Sequence, residues 1–329
     1  MTTDARHVAR PDRPGNGRRL ALRVAKLSLL AAVLIFVIVA IRRDINRIED
    51  WSVFQPDPVW ILLSILAALG VASVQIMSYR HLLRCYGQTP TWNQMMAIAW
   101  VPPLGKYVPG KVAAIAGATY MLKRYGVNVT IALSVVLLMD AFPVLLGLVI
   151  GSPVLTSAPV SSLVPGGAWI AAAVVICGVV LLHPRIFGWV VNRGLKWMGR
   201  APLERMPSLA EYFVPLMCAI AQWVFAGLSL WCMTRSLVDI ELTTAWRFIV
   251  IQAAAGSVGY LALFAPGGLG VTEGVRMLTL PSLLGHAPAG TVALIVVAMR
   301  LMQVAIELSL AAVGGLLHRR EAARVGDDR

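Results

Sequence analysis

Residues 129–150 read VTIALSVVLLMDAFPVLLGLVI, an apolar run in which Asp140 is the single charge. As a helix it extends about 33 Å at ~1.5 Å per residue, enough to cross roughly 30 Å of hydrocarbon. Comparable runs lie at Leu20–Ile41, Val59–Tyr79, Gly167–His183, Tyr212–Met233 and Gly290–Leu317. The whole chain of 329 residues is 58% hydrophobic and 14% charged, with mean hydropathy +0.74. A soluble domain of this size could not cover so much apolar surface, so lipid is the expected solvent. The sequence therefore predicts an all-α integral membrane protein with about six crossing helices.

Two further apolar stretches do not read as simple spans. Asn93–Leu122 is interrupted by Pro102-Pro103 and by Lys106-Tyr107-Val108-Pro109-Gly110-Lys111; Thr244–Leu284 is interrupted by Pro266-Gly267-Gly268-Leu269-Gly270. Proline removes a backbone donor and glycine loosens a helix, so each stretch is expected to form two short helices around a bend. If both are re-entrant hairpins, about 20 of the 29 Lys+Arg fall on one side of the membrane and about 5 on the other, the asymmetry expected of cytoplasmic loops. That topology puts both termini in the cytoplasm of an inner-membrane protein. It also exposes an inverted repeat, span–hairpin–span, over about 59–150 and 212–317, an arrangement that transporters use to build midplane sites. The domain plan is a basic, disordered tail over 1–19, one transmembrane domain over 20–317 and a basic tail over 318–329. Arg185–Arg200 reads as an interfacial helix: Ile186, Phe187, Val190, Val191, Leu195 and Met198 share one face, and Trp189 and Trp197 flank it.

A charge inside a span needs a partner, water or a task. Lys106 and Lys111 flank the first bend, where a helix N-terminus and two ammonium groups together suit a phosphate; snorkelling to the inner surface is the alternative. Glu273 and Arg276 follow the second bend and suit either a ligand or a local i, i+3 ion pair. Arg300, Gln303 and Glu307 form a stripe on the last span. Together with Asp140 they are expected to line a cavity or to pair between repeats, Asp140 with Arg300 first of all. The expected phosphate-contacting groups are Lys106, Lys111, Glu273 and Arg276, and the bends themselves are Pro109, Gly110, Pro266, Gly267, Gly268 and Gly270.

The net charge of +13 sits at span ends, so anionic headgroups explain it better than nucleic acid does. Cys85, Cys177, Cys218 and Cys232 show no metal or disulfide spacing. No small-residue cleavage site precedes Arg42-Arg43, so the first helix is expected to be retained. There is no GxSxG, HExxH, phosphate-loop or DxD motif, and no cofactor, metal or catalytic residue is expected.

The stretch Ala265-Pro266-Gly267-Gly268-Leu269-Gly270-Val271-Thr272-Glu273-Gly274 resembles the PGGxGxxE signature of the lysylphosphatidylglycerol synthase transmembrane-region family, which includes the flippase portion of bacterial multiple peptide resistance factors. Lys106–Lys111 and Lys123-Arg124-Tyr125-Gly126 resemble its first-half pattern. Many members carry Arg where this chain has Thr272, which leaves Arg276 as the nearest basic group. The resemblance implies transport or flipping of a phosphate-bearing lipid: an aminoacyl phospholipid, or a polyprenyl-phosphate-linked or terpenoid lipid. It makes membrane lipid the main partner, with lipid-biosynthetic membrane enzymes as further candidates. Aminoacylation is not expected, because the sequence holds no soluble synthase domain. The alternative is a membrane glycosyltransferase acting on a lipid-linked substrate, with Asp44, Glu49, Asp50 and Asp57 in the first outer loop as its carboxylates.

Overall fold

The computed structural model describes residues 55–108, 112–197, 199, 202–203, 207–285, 287 and 290–327. The expected first crossing at Leu20–Ile41 and the bend residues Pro109, Gly110 and Lys111 lie outside them. All regular structure among the described residues is helical.

Helix α1 (Pro58–Cys85) begins where the sequence provides a start: Asp57 caps it by accepting from the Val59 N–H at 2.8 Å, and Pro58 occupies the first turn. A capping box of Thr91 and Gln94 opens α2 (Trp92–Trp100). Pro102-Pro103 then replace it by a 3-10 turn, Pro102–Tyr107, before α3 (Val112–Arg124). Asn128 caps α4 (Val129–Gly151). The short α5 (Ala158–Ser161) leads to α6 (Gly167–Leu182) and α7 (Pro184–Trp197). A second capping box, Ser208 with Glu211, opens α8 (Leu209–Arg235). Helix α9 (Ala245–Leu261) runs into a 3-10 turn at Pro266–Gly268, then α10 (Val271–Thr279) and the short α11 (Pro281–Leu284). The chain closes with α12 (Thr291–Asp327).

Four helices, α1, α4, α8 and α12, are long and apolar enough to cross a membrane. Helix α6 has 16 residues, about 24 Å, which alone falls short of a full crossing. It meets α7 at a bend of 77°. Leu62, Leu66, Trp169, Ile176, Phe264 and Leu316 are exposed on the outer faces, where only lipid makes such exposure stable. Both interrupted stretches break where the sequence places Pro and Gly, giving α2–turn–α3 and α9–turn–α10. The second is the longer, with 17 residues in α9.

The order long helix, shorter helix, 3-10 turn, shorter helix, long helix thus occurs twice. The packing is reciprocal. The two leading helices, α1 and α8, lie along one another; α2 packs on α12, and α9 packs on α4. Ser64 and Ser229 mark the α1–α8 seam, each hydroxyl donating to the other's backbone carbonyl at 2.7 and 2.9 Å. With no water to serve them, these hydroxyls must be satisfied across the helix interface. The α4–α9 crossing is closer still: a Cβ on Gly151 would stand 2.5 Å from the Ala254 nitrogen, so only glycine fits.

Candidate functional site

Between the two sets of helices lies a cavity of about 390 Å³, within the range of small-ligand sites. Nearly every major element gives it one polar side chain: Gln75 from α1, Lys106 from the first bend, Asp140 from α4, Gln222 from α8, Gln252 from α9, Arg276 from α10, and Gln303 and Glu307 from α12. The rest of its wall is apolar or aromatic, including Val71, Ala72, Trp100, Trp223 and Met302.

Glu307 is the hub of one wall. Its carboxylate accepts from Lys106 Nζ at 2.5 Å, from the Tyr107 hydroxyl at 2.9 Å and from Gln303 Nε2 at 2.9 Å. Three donors satisfy a carboxylate that water cannot reach freely. Lys106 therefore engages α12 across the site, which replaces the snorkelling alternative. Lys111, its expected companion, lies outside the described residues.

The second bend is held by a different pair. Glu273 Oε2 accepts from the Gly270 N–H at 2.8 Å, closing the first turn of α10, while Glu273 Oε1 stands 3.2 Å from Arg300 Nε. Arg300 Nη2 also donates to the Gly267 carbonyl at 3.3 Å. Gly267 has a positive φ of 60° and touches Tyr107, so a Cβ there would lie 2.8 Å from the Tyr107 ring. The two bends consequently meet face to face, and one α12 stripe clamps both: Glu307 takes the first, Arg300 the second.

Two expected pairings are corrected by this geometry. Arg300 bonds Glu273 and Gly267 rather than Asp140, because the second bend folds back over α12 and presents both acceptors to it. Asp140 instead hydrogen-bonds Tyr260 and lies beside Tyr79. Nor does Glu273 form a local pair with Arg276. Glu273 bonds its own helix start and pairs with Arg300, Arg276 bonds Gln252, and the two interact only at longer electrostatic range.

Arg276 is 1% exposed. Its Nε and Nη2 donate to a single neutral acceptor, Gln252 Oε1, at 3.1 and 2.9 Å, and Nη1 is buried without a partner. Burying an ion costs several kcal/mol unless a countercharge compensates; an amide oxygen supplies none, and Glu273, the carboxylate within electrostatic range, is already paired with Arg300. The Lys106–Glu307 pair neutralises itself. This leaves Arg276 as a cavity-wall cation held in place but not discharged, an arrangement suited to an incoming anion.

Several wall residues were not anticipated: Gln75, Gln222, Gln252, Tyr79 and Tyr260; nor was Tyr107, which donates to Glu307. The signal was available for the glutamines, since an uncharged amide inside an apolar span also needs a partner. The proposed carboxylate Asp57 is a helix cap, and its N–H donates to the Ser236 carbonyl at 2.8 Å. Asp44, Glu49 and Asp50 lie outside the described residues.

No curated protein matches the chain. The model of one family does, over residues 22–307, which takes in every helix described above up to the middle of α12 together with both bends. The chain is a multi-pass membrane protein that belongs to the family of the lysylphosphatidylglycerol synthase TM region.

Proposed function

We propose that this protein moves a phosphate-bearing lipid between the leaflets of the cytoplasmic membrane, without changing the lipid's covalent structure. The observation that carries this reading is Arg276: buried, lining the cavity, hydrogen-bonded only to the neutral Gln252 among the described residues, and sharing its nearest carboxylate, Glu273, with Arg300. A lipid phosphate entering the cavity supplies the missing countercharge while its chains remain against apolar helix surfaces. On the first-bend side Lys106 is held by Glu307, and Lys111 is the further proposed phosphate contact. Glu273 fixes the geometry of the second bend through Gly270 and Arg300.

The mechanism follows from the reciprocal packing. The two span–hairpin–span units are related as inverted repeats, with both hairpins re-entrant and both termini cytoplasmic. The Lys106–Glu307, Tyr107–Glu307 and Arg300–Gly267 contacts cross between the bends and α12. Exchanging them lets one repeat rock against the other, so that the cavity faces each leaflet in turn. The membrane-lipid role is the one the family's membrane domain supports.

Binding tests the reading directly. Detergent-purified protein incubated with phosphatidylglycerol and with a neutral diacylglycerol of equal chain length is examined by native mass spectrometry. Phosphatidylglycerol is expected to be retained at least tenfold better, and Arg276→Gln is expected to abolish the difference. Equal retention of both lipids by the wild-type protein refutes the phosphate role of the cavity.

A further inference from the structure

We infer that the exposed side of α7 is a docking surface for anionic lipid headgroups, separate from the cavity. At about 100° per residue, α7 divides into three sectors. Phe187, Gly188, Val191 and Leu195 are buried against the protein and span about 100° of the helix. Ile186, Val190 and Trp197 are exposed on a second, apolar sector, with Trp197 91% exposed. Arg185, Arg193 and Lys196 are exposed on a third, with Trp189 among them. The sequence alone placed Ile186 and Val190 on the same face as Phe187. The structure separates them, because the protein takes only the Phe187–Val191–Leu195 edge.

Three sectors match three environments. The 77° bend from α6 turns α7 away from the direction of the preceding apolar helix, toward the plane of the membrane surface. In that plane the apolar sector meets acyl chains and the tryptophans sit at headgroup depth. The three cations then face the phosphate layer, and none of them has an ion-pair partner among the described residues. The helix cannot roll away, since Phe187 stacks on Phe142 of α4 with ring centroids 5.9 Å apart and planes 12° apart, and Phe142 meets Tyr212 edge-on. Fixed cations in a neutral bilayer would lose most of their attraction, so an anionic lipid is the occupant that completes the surface.

The test uses full-length protein with its four cysteines replaced, reconstituted in phosphatidylcholine vesicles, with a bimane probe on Trp197→Cys. Brominated phosphatidylglycerol is compared with brominated phosphatidylcholine as quencher at equal mole fraction. Preference for the anionic quencher is expected to be about fivefold, the equivalent of roughly 1 kcal/mol. It should fall to near one in Arg185→Gln/Arg193→Gln/Lys196→Gln and in 0.5 M salt. A probe on Trp169→Cys, at the far end of α6 and 83% exposed, should show no preference. Equal quenching by the two lipids at 197 overturns the inference, as does the same preference at 169, or a preference at 197 that neither salt nor the triple variant reduces. The salt response of the unsubstituted surface decides the matter even if the triple variant does not fold.

Discussion

Replacing Glu307 by Ala leaves Lys106 and Tyr107 without their shared acceptor. The cost follows from burial. The side chains of Lys106 and Glu307 are 24% and 22% exposed, so each has lost about three quarters of its contact with solvent. Breaking a fully buried pair costs about 3–5 kcal/mol, and an exposed one about 0–1 kcal/mol. Interpolating places Glu307→Ala at roughly 2–4 kcal/mol, with part of that the stranded ammonium rather than the lost bond. Lys106→Met removes the ammonium as well, so Lys106→Met/Glu307→Leu should be milder than the two single changes added, by about 1–3 kcal/mol. Reversible unfolding in mixed micelles of increasing denaturing detergent measures both quantities. Additive single effects, or an unchanged midpoint in Glu307→Ala, would refute the hub role of Glu307.

Two other outcomes follow. Gly267→Ala meets both a positive φ and the Tyr107 ring at 2.8 Å; it should cost about 1–3 kcal/mol by the same assay, and Tyr107→Ala should relieve part of the clash but not the backbone strain. In a cysteine-free background, Thr156→Cys and Asp239→Cys should react with an impermeant thiol reagent in intact cells, while Ser208→Cys and Arg320→Cys should not. Reaction at Ser208→Cys refutes the re-entrant topology.

Helix positions were legible in the sequence wherever a local cause sets them. Asp57, Thr91, Asn128 and Ser208 start helices through their own side chains, and Pro102-Pro103 and Pro266-Gly267 end them. The cost of charge in lipid likewise singled out Lys106, Lys111, Asp140, Glu273, Arg276, Arg300 and Glu307; Lys106, Asp140, Arg276 and Glu307 line the cavity, Glu273 and Arg300 pair at the second bend, and Lys111 lies outside the described residues. Partner choice was not legible, because it depends on how the bends fold over α12. From sequence, Asp140 and Arg300 were two opposite charges at similar depth; the return of the second bend gives Arg300 to Glu273 and Gly267 instead. The division of α7 into lipid and protein sectors was equally hidden. Periodicity reports an apolar arc but not which part of it a neighbouring helix covers.

Leaflet exchange measured together with lipid mass decides whether Arg276 serves transport without chemistry. Protein in sealed vesicles is given a headgroup-labelled phosphatidylglycerol and, in parallel, a labelled polyprenyl phosphate. Accessibility to an outside reducing agent is followed over time, and lipid mass is read from the same vesicles. Exchange of at least one of these lipids at unchanged mass is expected, reduced at least tenfold in Arg276→Gln, with the purified variant as stable as the wild type because the substitution removes a buried charge. Exchange as fast in Arg276→Gln as in the wild type would contradict that role, as would a heavier lipid formed when a sugar donor is supplied.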